Sequence, residues 1–134
     1  MADQSGLPLE GVRIVALEQA VSAPICTRVL ADLGATVIKV ENPGGGDFAR
    51  HYDDVVKGQA AHFVWCNRGK QSITLNLKSD AGLEVLHRLL ESADVLVANL
   101  APGAGSVMPL YPDADSMIRM FRTGKRPDGA PVKV

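Results

Sequence analysis

The sequence lacks most features that would assign a class at once. It has two cysteines, Cys26 and Cys66, one tryptophan, and aromatic residues at only 4%. Two cysteines this far apart do not make a disulfide-stapled scaffold, and 134 residues can bury a core without staples. Charges and glycines interrupt every hydrophobic segment, so no stretch approaches the ~18 apolar residues of a membrane span. Charge of one sign is also lacking. A net charge of −1 argues against nucleic acid as a bulk electrostatic partner. The opening MADQSGLPLEG has neither a basic region nor an apolar run, so no secretory leader is expected, and the reduced cytoplasm is the expected location.

Familiar chemical signatures are missing as well. The segment after the first expected strand, EQAVSAPICT, lacks the G-x-G-x-x-G that brings a dinucleotide pyrophosphate to a helix N-terminus. No G-x-x-x-x-G-K-[ST] phosphate loop occurs. His51, His62 and His87 show no ligand spacing with one another or with a cysteine, so no metal site is assigned. Cys26, inside the first expected helix, reads as a small buried hydrophobe, and Cys66, beside Trp65, also reads as packing. Asp113 and Asp115 fit a turn-forming YPDAD segment better than a pair of catalytic carboxylates.

What is present is a strand and helix alternation. GVRIVAL (11–17) is a short β-branched run suited to a buried parallel strand. PICTRVLADLG follows, with Pro24 at a helix start, Ile25, Val29, Leu30 and Leu33 as the apolar stripe, and Gly34 as the stop. ATVIKVE completes a βαβ unit with an expected right-handed crossover. HFVWC reads as extended, NRGK as a basic turn, and the next strand alternates Ile73, Leu75 and Leu77 with polar residues, which suits a place at an edge or outside the main sheet. Ser79 caps a second helix with Leu83, Leu86 and Leu90 inward, and ADVLVANL reads as the next buried strand.

The expected fold is therefore α/β: an open Rossmann-like parallel sheet with flanking helices, forming a partial domain, followed by an irregular C-terminal tail. Sites in such sheets lie beyond the carboxyl ends of the strands, which groups Glu18 to Ser22, Glu41 to Asp47 and Asn99 to Ala101 around one crevice. Asn67, Arg68, Lys70 and Lys78 flank the alternating strand, and the positive charge of the last three would suit a phosphate-bearing ligand or simply a solvated surface. The loop within KVENPGGGD is either an anion cradle or a mobile turn. After Leu100 the chain is rich in proline and glycine without sustained period, and its basic residues read as a solvated terminus.

Three stretches, LEGVRIVALEQAVSAPICTRVLADLGATVIKVENPGGGDFAR, NRGKQSITLNLKS and ADVLVANLAPG, resemble in order and spacing the N-terminal region of the class III (CaiB/BaiF-type) CoA-transferases. That family includes formyl-CoA transferase, carnitine CoA-transferase and α-methylacyl-CoA racemase. The resemblance spans residues 9–104. It implies a CoA-binding α/β half-domain at 1–104 and an interlocked dimer in full-length members. It also implies transfer of CoA between carboxylic acids through an aspartyl-CoA thioester. CoA or acyl-CoA enters as substrate, with no covalently bound cofactor. By matched position, the CoA contacts are Val21, Ser22, Asn42, Leu75, Asn76, Leu77, Lys78, Asn99, Leu100 and Ala101. Asn42 and the glycine loop would line the nucleotide end.

Departures from the family pattern bear on activity. Val21 stands where oxalate-type members carry glutamine, Asn42 where they carry an arginine near the adenine, and Val107 where an arginine follows the PG of ANLAPG. In the tail (105–134), PDGAPVKV resembles the segment just before the catalytic aspartate. By this alignment that aspartate is absent, and Asp113, Asp115 and Asp128 do not occupy its place, so no catalytic residue is assigned. The expectation is a truncated, internally deleted or frame-altered family member that retains CoA binding, lacks transfer activity, and self-associates or pairs with a full-length paralogue. The alternatives are a non-catalytic acyl-CoA-binding or regulatory module, a racemase-type fragment, or a gene remnant without function.

Overall fold

The computed structural model describes residues 6–100. Ala101 and the whole tail, with Val107 and the tail aspartates, lie outside them. Four strands, β1 (Arg13–Leu17), β2 (Thr36–Glu41), β3 (Gln71–Thr74) and β4 (Val95–Ala98), form one sheet in the order β3-β2-β1-β4. Every pairing is parallel. Helix α1 (Ser22–Asp32) joins β1 to β2, α2 (Ala61–Asn67) precedes β3, and α3 (Asp80–Glu91) joins β3 to β4. Among the described residues no helix is long and apolar enough to cross a membrane.

Strand alternation divides the core into two layers. Val15, Leu17 and Val40 face α3, where Leu86 is buried among Ile73, Leu89, Leu90 and Leu96. Ile14, Ala16 and Val37 face α1 and pack with Leu30 and Ala31. Helices on both faces of a parallel sheet, with β1 central and the chain returning to its other side at β4, define a doubly wound α/β arrangement. Of the two placements expected for the alternating strand, β3 takes the sheet edge among the described residues, and it ends at Thr74, so Leu75 and Leu77 lie beyond it. Ser79 caps α3 through its side chain, which accepts from Gly82 N–H.

Four local expectations are corrected. HFVWC is helical, not extended: Phe63 and Cys66, one turn apart, are both buried by α2, and this outweighs the strand preference of the aromatic residues. Cys26 is exposed, because α1 turns Ala23, Pro24 and Thr27 toward the sheet instead of the Ile25, Val29 and Leu33 stripe. Val29 and Leu33 are exposed. The reason is polar, since the buried Glu18 carboxylate beneath the helix needs a hydroxyl, and Thr27 Oγ1 donates to it at 2.7 Å. Finally, β4 is only partly covered, with Val95 42% exposed, because it lies at the sheet's other edge among the described residues.

Leu86 is the fully buried residue of α3 on its layer. Leu86→Ala should cost about 2–5 kcal/mol, read as a lowered urea midpoint at unchanged slope. A loss below about 1 kcal/mol would contradict its central place in the core.

Candidate functional site

All four strands end on one side of the sheet, and their carboxyl ends surround a cavity of about 470 Å³. Leu17, Glu18 and Gln19 enter from β1, Val40 to Gly44 with Gly46 and Asp47 from β2, Leu75 to Lys78 from beyond β3, and Leu100 from beyond β4. The floor is apolar, made by Leu17, Val40, Leu75, Leu77 and Leu100, which belong to the α3-side core.

On the opposite face of the sheet, the same strand ends carry charge. Glu18 continues the Ile14, Ala16 alternation, and Lys39 and Glu41 continue that of Val37, so all three point under α1 and α2. Lys39 Nζ donates to Asp47 Oδ2 at 2.7 Å and to Glu18 Oε1 at 3.5 Å. Lys70 Nζ donates to Glu18 Oε1 at 2.6 Å and to the carbonyl of Pro24 at 2.9 Å. Glu41 accepts two hydrogen bonds from Arg50, each 2.7 Å, one from Ser72 Oγ at 2.7 Å, and one from Asp47 N–H at 2.9 Å. Arg50 also stacks 3.9 Å over the Phe63 ring. Each buried charge thus has an opposite charge and further hydrogen bonds.

The titration of these groups follows from that packing. Burial pushes the Glu41 carboxyl up, but the Arg50 hydrogen bonds, the Ser72 hydroxyl and the Asp47 N–H outweigh it and lower it from 4.5 to about 2. Hydrogen bonding to Glu41 in turn raises Arg50. Burial lowers Lys70 against the opposing pull of Glu18, and burial raises the Cys66 thiol.

The glycine loop is built on this base. Asn42 braces it from inside: Nδ2 donates to the carbonyl of Gly46 at 2.8 Å, and Oδ1 accepts from Gly44 N–H at 2.8 Å. Gly46 has φ +73, and a Cβ there would strike the Glu41 carboxylate and the Arg50 side chain. These contacts, with Gly46 N–H on the Asn42 carbonyl and Asp47 N–H on Glu41, take up the N–H groups of Gly44, Gly46 and Asp47, so the loop is a braced turn rather than an open anion cradle.

Of the residues carried over by resemblance, Asn42, Leu75, Asn76, Leu77, Lys78 and Leu100 line the cavity. Val21 and Ser22 lie outside its lining, at the start of α1. Asn99 sits beside them, with Oδ1 accepting from Gln19 N–H at 2.8 Å and Nδ2 donating to Gln19 O at 2.8 Å. Ala101 is outside the described residues. Among the expected cations, only Lys78 reaches the cavity. Lys70 is buried against Glu18, and Arg68 pairs with Asp32 at the surface, so neither is a free phosphate ligand. Glu18, Lys39 and Asp47 went unnoticed as an ensemble in the sequence. Their signal was a glutamate and a lysine at alternate positions of otherwise apolar strand ends, and an aspartate closing the glycine run.

A doubly wound parallel sheet with a cavity at its carboxyl edge defines the broad class of this protein as an α/β ligand-binding fold. Comparison with known proteins narrows it. The family model for CoA-transferase family III matches residues 9–116, and the chain belongs to that family. A formyl-CoA:oxalate CoA-transferase of Afipia carboxidovorans is 48% identical over 96 residues, covering 71% of this chain and 23% of that protein. One from Escherichia coli is 44% identical over 98 residues, with 72% and 24% covered. The chain therefore spans about a quarter of the length of the curated relatives it matches. A CAIB/BAIF family protein from Brucella suis superposes with a TM-score of 0.72 at 39% identity, covering 79% of this chain and 29% of that one. The Mycobacterium tuberculosis protein Rv3272 does so at 0.71 and 39%, with 81% and 29% covered.

Because Glu41 is held down in the folded state, its contribution is complete above about pH 4.5 and is lost as pH falls toward about 2. That contribution is on the order of 3 kcal/mol. Urea unfolding from pH 6 to pH 2 should show the loss, and Glu41→Gln should flatten the profile in that window. Equal acid sensitivity in the two proteins would remove Glu41 from this role.

Proposed function

We propose that residues 1–104 form a CoA-binding half-domain, and that the cavity at the strand ends takes coenzyme A or an acyl-CoA thioester. One observation carries the reading: a ~470 Å³ cavity is lined by Asn42, Leu75 to Lys78 and Leu100, residues that the family resemblance had singled out without reference to geometry. Its size lies in the usual range for small-molecule sites, roughly 300–1,000 Å³. Its chemistry suits the ligand. Apolar side chains would meet the adenine and pantetheine portions, Lys78 would meet a phosphate, and the glycines would permit close backbone approach.

The relatives' names include transfer of CoA between formyl-CoA and oxalate, and CoA transfer between carboxylic acids is the reaction this reading takes for full-length members. For this chain we propose binding without transfer. The acidic residues on the cavity lining, Glu18, Glu41 and Asp47, have their carboxylates engaged by cations and by hydroxyl or N–H donors and do not present a free nucleophile. Work in the cytoplasm and self-association belong to the same reading. The latter is supported by exposed Phe48, Tyr52 and Trp65 and by the outer position of β4 among the described residues.

Calorimetric titration with coenzyme A should give saturable heat and a raised melting temperature, while NAD gives neither. Lys78→Ala should weaken CoA binding by roughly 2- to 10-fold through loss of a phosphate contact. Absence of both heat and thermal shift with CoA would sink the binding reading. CoA transfer from formyl-CoA to oxalate by the purified chain alone would overturn the proposal of binding without transfer.

A further inference from the structure

The cavity has two walls that are separate in sequence: the loop after β1, with Glu18 and Gln19, and the glycine loop after β2, with Gly44 and Gly46. One buried side chain joins them. Asp47 is 1% exposed and divides its carboxylate between two tasks. Oδ2 takes the Lys39 ammonium at 2.7 Å. Oδ1 accepts from Ala20 N–H at 3.1 Å and from Ala49 N–H at 2.9 Å. The first of these two bonds reaches across to the β1 loop, and the second starts the short 3-10 turn Phe48–His51 that closes the glycine loop.

Ala20 carries the signature of an imposed conformation. Its φ is +63, in the left-handed region that a residue with a Cβ adopts at a cost and keeps only where its surroundings determine it. Two side chains do so. Asn99 holds both backbone polar groups of Gln19, and Asp47 holds the N–H of Ala20. Val21 and Ser22 follow directly, so the direction in which they leave the strand is set at this point.

We propose that Asp47 is a positioning residue for CoA. Through its hydrogen bond to Ala20 it latches the β1 loop to the glycine loop and holds the two walls at the spacing the ligand requires. This rests on the CoA-binding reading above, and it assigns Asp47 an action through backbone groups rather than contact with a reacting atom. Lys39 keeps the carboxylate in place, and Lys70 relieves Glu18 of dependence on Lys39.

The test isolates the acceptor from the charge. In the full chain, Lys39→Met with Asp47→Asn removes the buried ion pair together and leaves Oδ1 to accept from Ala20. Lys39→Met with Asp47→Ala removes the pair and the acceptor. By NMR, the Ala20 amide should stay protected from hydrogen exchange in the first and exchange at least tenfold faster in the second. Calorimetry with coenzyme A should give at least tenfold weaker binding for the second, with the first rescuing affinity to within about threefold of the unaltered chain. Equal affinity or equal Ala20 protection in the two variants would overturn the latch. If the alanine variant does not fold, a semisynthetic chain with an ester in place of the Ala20 amide removes the donor and leaves every side chain in place, with Asn99→Ala as the control for the weakened Gln19 carbonyl. It should bind CoA at least tenfold more weakly, and unchanged affinity would again overturn the proposal. If the unaltered chain takes no CoA, the binding reading fails, and the Ala20 amide alone decides the latch.

Discussion

The site depends on a buried ammonium. Lys39 sits in β2 between Val37 and Val40, which face the two core layers, and it is almost wholly removed from water. Moving such a charge out of water has an effective penalty of several kcal/mol, which falls only if opposite charge meets it with good geometry. Glu18 at the end of β1 and Asp47 at the end of the glycine loop supply that charge from two directions. Electrostatic neutrality inside the fold therefore requires that the β1 loop and the β2 loop come to the same point. Removing one partner would leave an uncompensated charge at a typical cost of about 3–5 kcal/mol.

From this requirement the rest of the active edge follows. Glu18, with two oxygens to satisfy, draws Thr27 and so rotates α1, and it draws Lys70 inward from the turn before β3. Asp47 offers its N–H to Glu41, which is clamped by Arg50, which lies on Phe63 of α2. The polar layer thus ties β1, α1, β2, the glycine loop, α2 and β3 into one unit on the α1 side of the sheet. On the α3 side the layer is ordinary hydrocarbon. The cavity lies where these two layers end, with an apolar floor and ordered backbone at its mouth, and this division suits a ligand that is itself part apolar and part anionic.

Sequence patterns made the sheet, the crossovers and the carboxyl-edge site legible because they rest on local periodicity and on a rule of topology. Ile14, Ala16 and Val37 needed only to be apolar and alternating to be read correctly. The misread positions share a cause. HFVWC has strand-like composition but buries Phe63 and Cys66 at a helical spacing, and α1 presents its Thr27 face instead of its larger apolar stripe because a charge lies beneath it. Lys70 looked like a surface cation for a ligand and is instead an internal counterion. In each instance the deciding partner lies on another element, at sequence separations that no local window includes.

The sequence alone determined the class: the order of strands and helices, one sheet with parallel strands, and a crevice ringed by the segments after Leu17, Glu41 and Ala98. Family resemblance in the same residues then pointed to CoA. What only the tertiary structure decided is which polar groups remain available to a ligand. Asn42, Asn99, Lys70 and Asp47 all stand near the crevice by position, yet their side-chain hydrogen bonds are satisfied within the protein, even where, as with Asn42 and Asp47, the residue lines the cavity beside Lys78. Whether a polar atom faces a ligand or a buried partner depends on desolvation and on distance. Those quantities exist only once the strands have brought distant residues together.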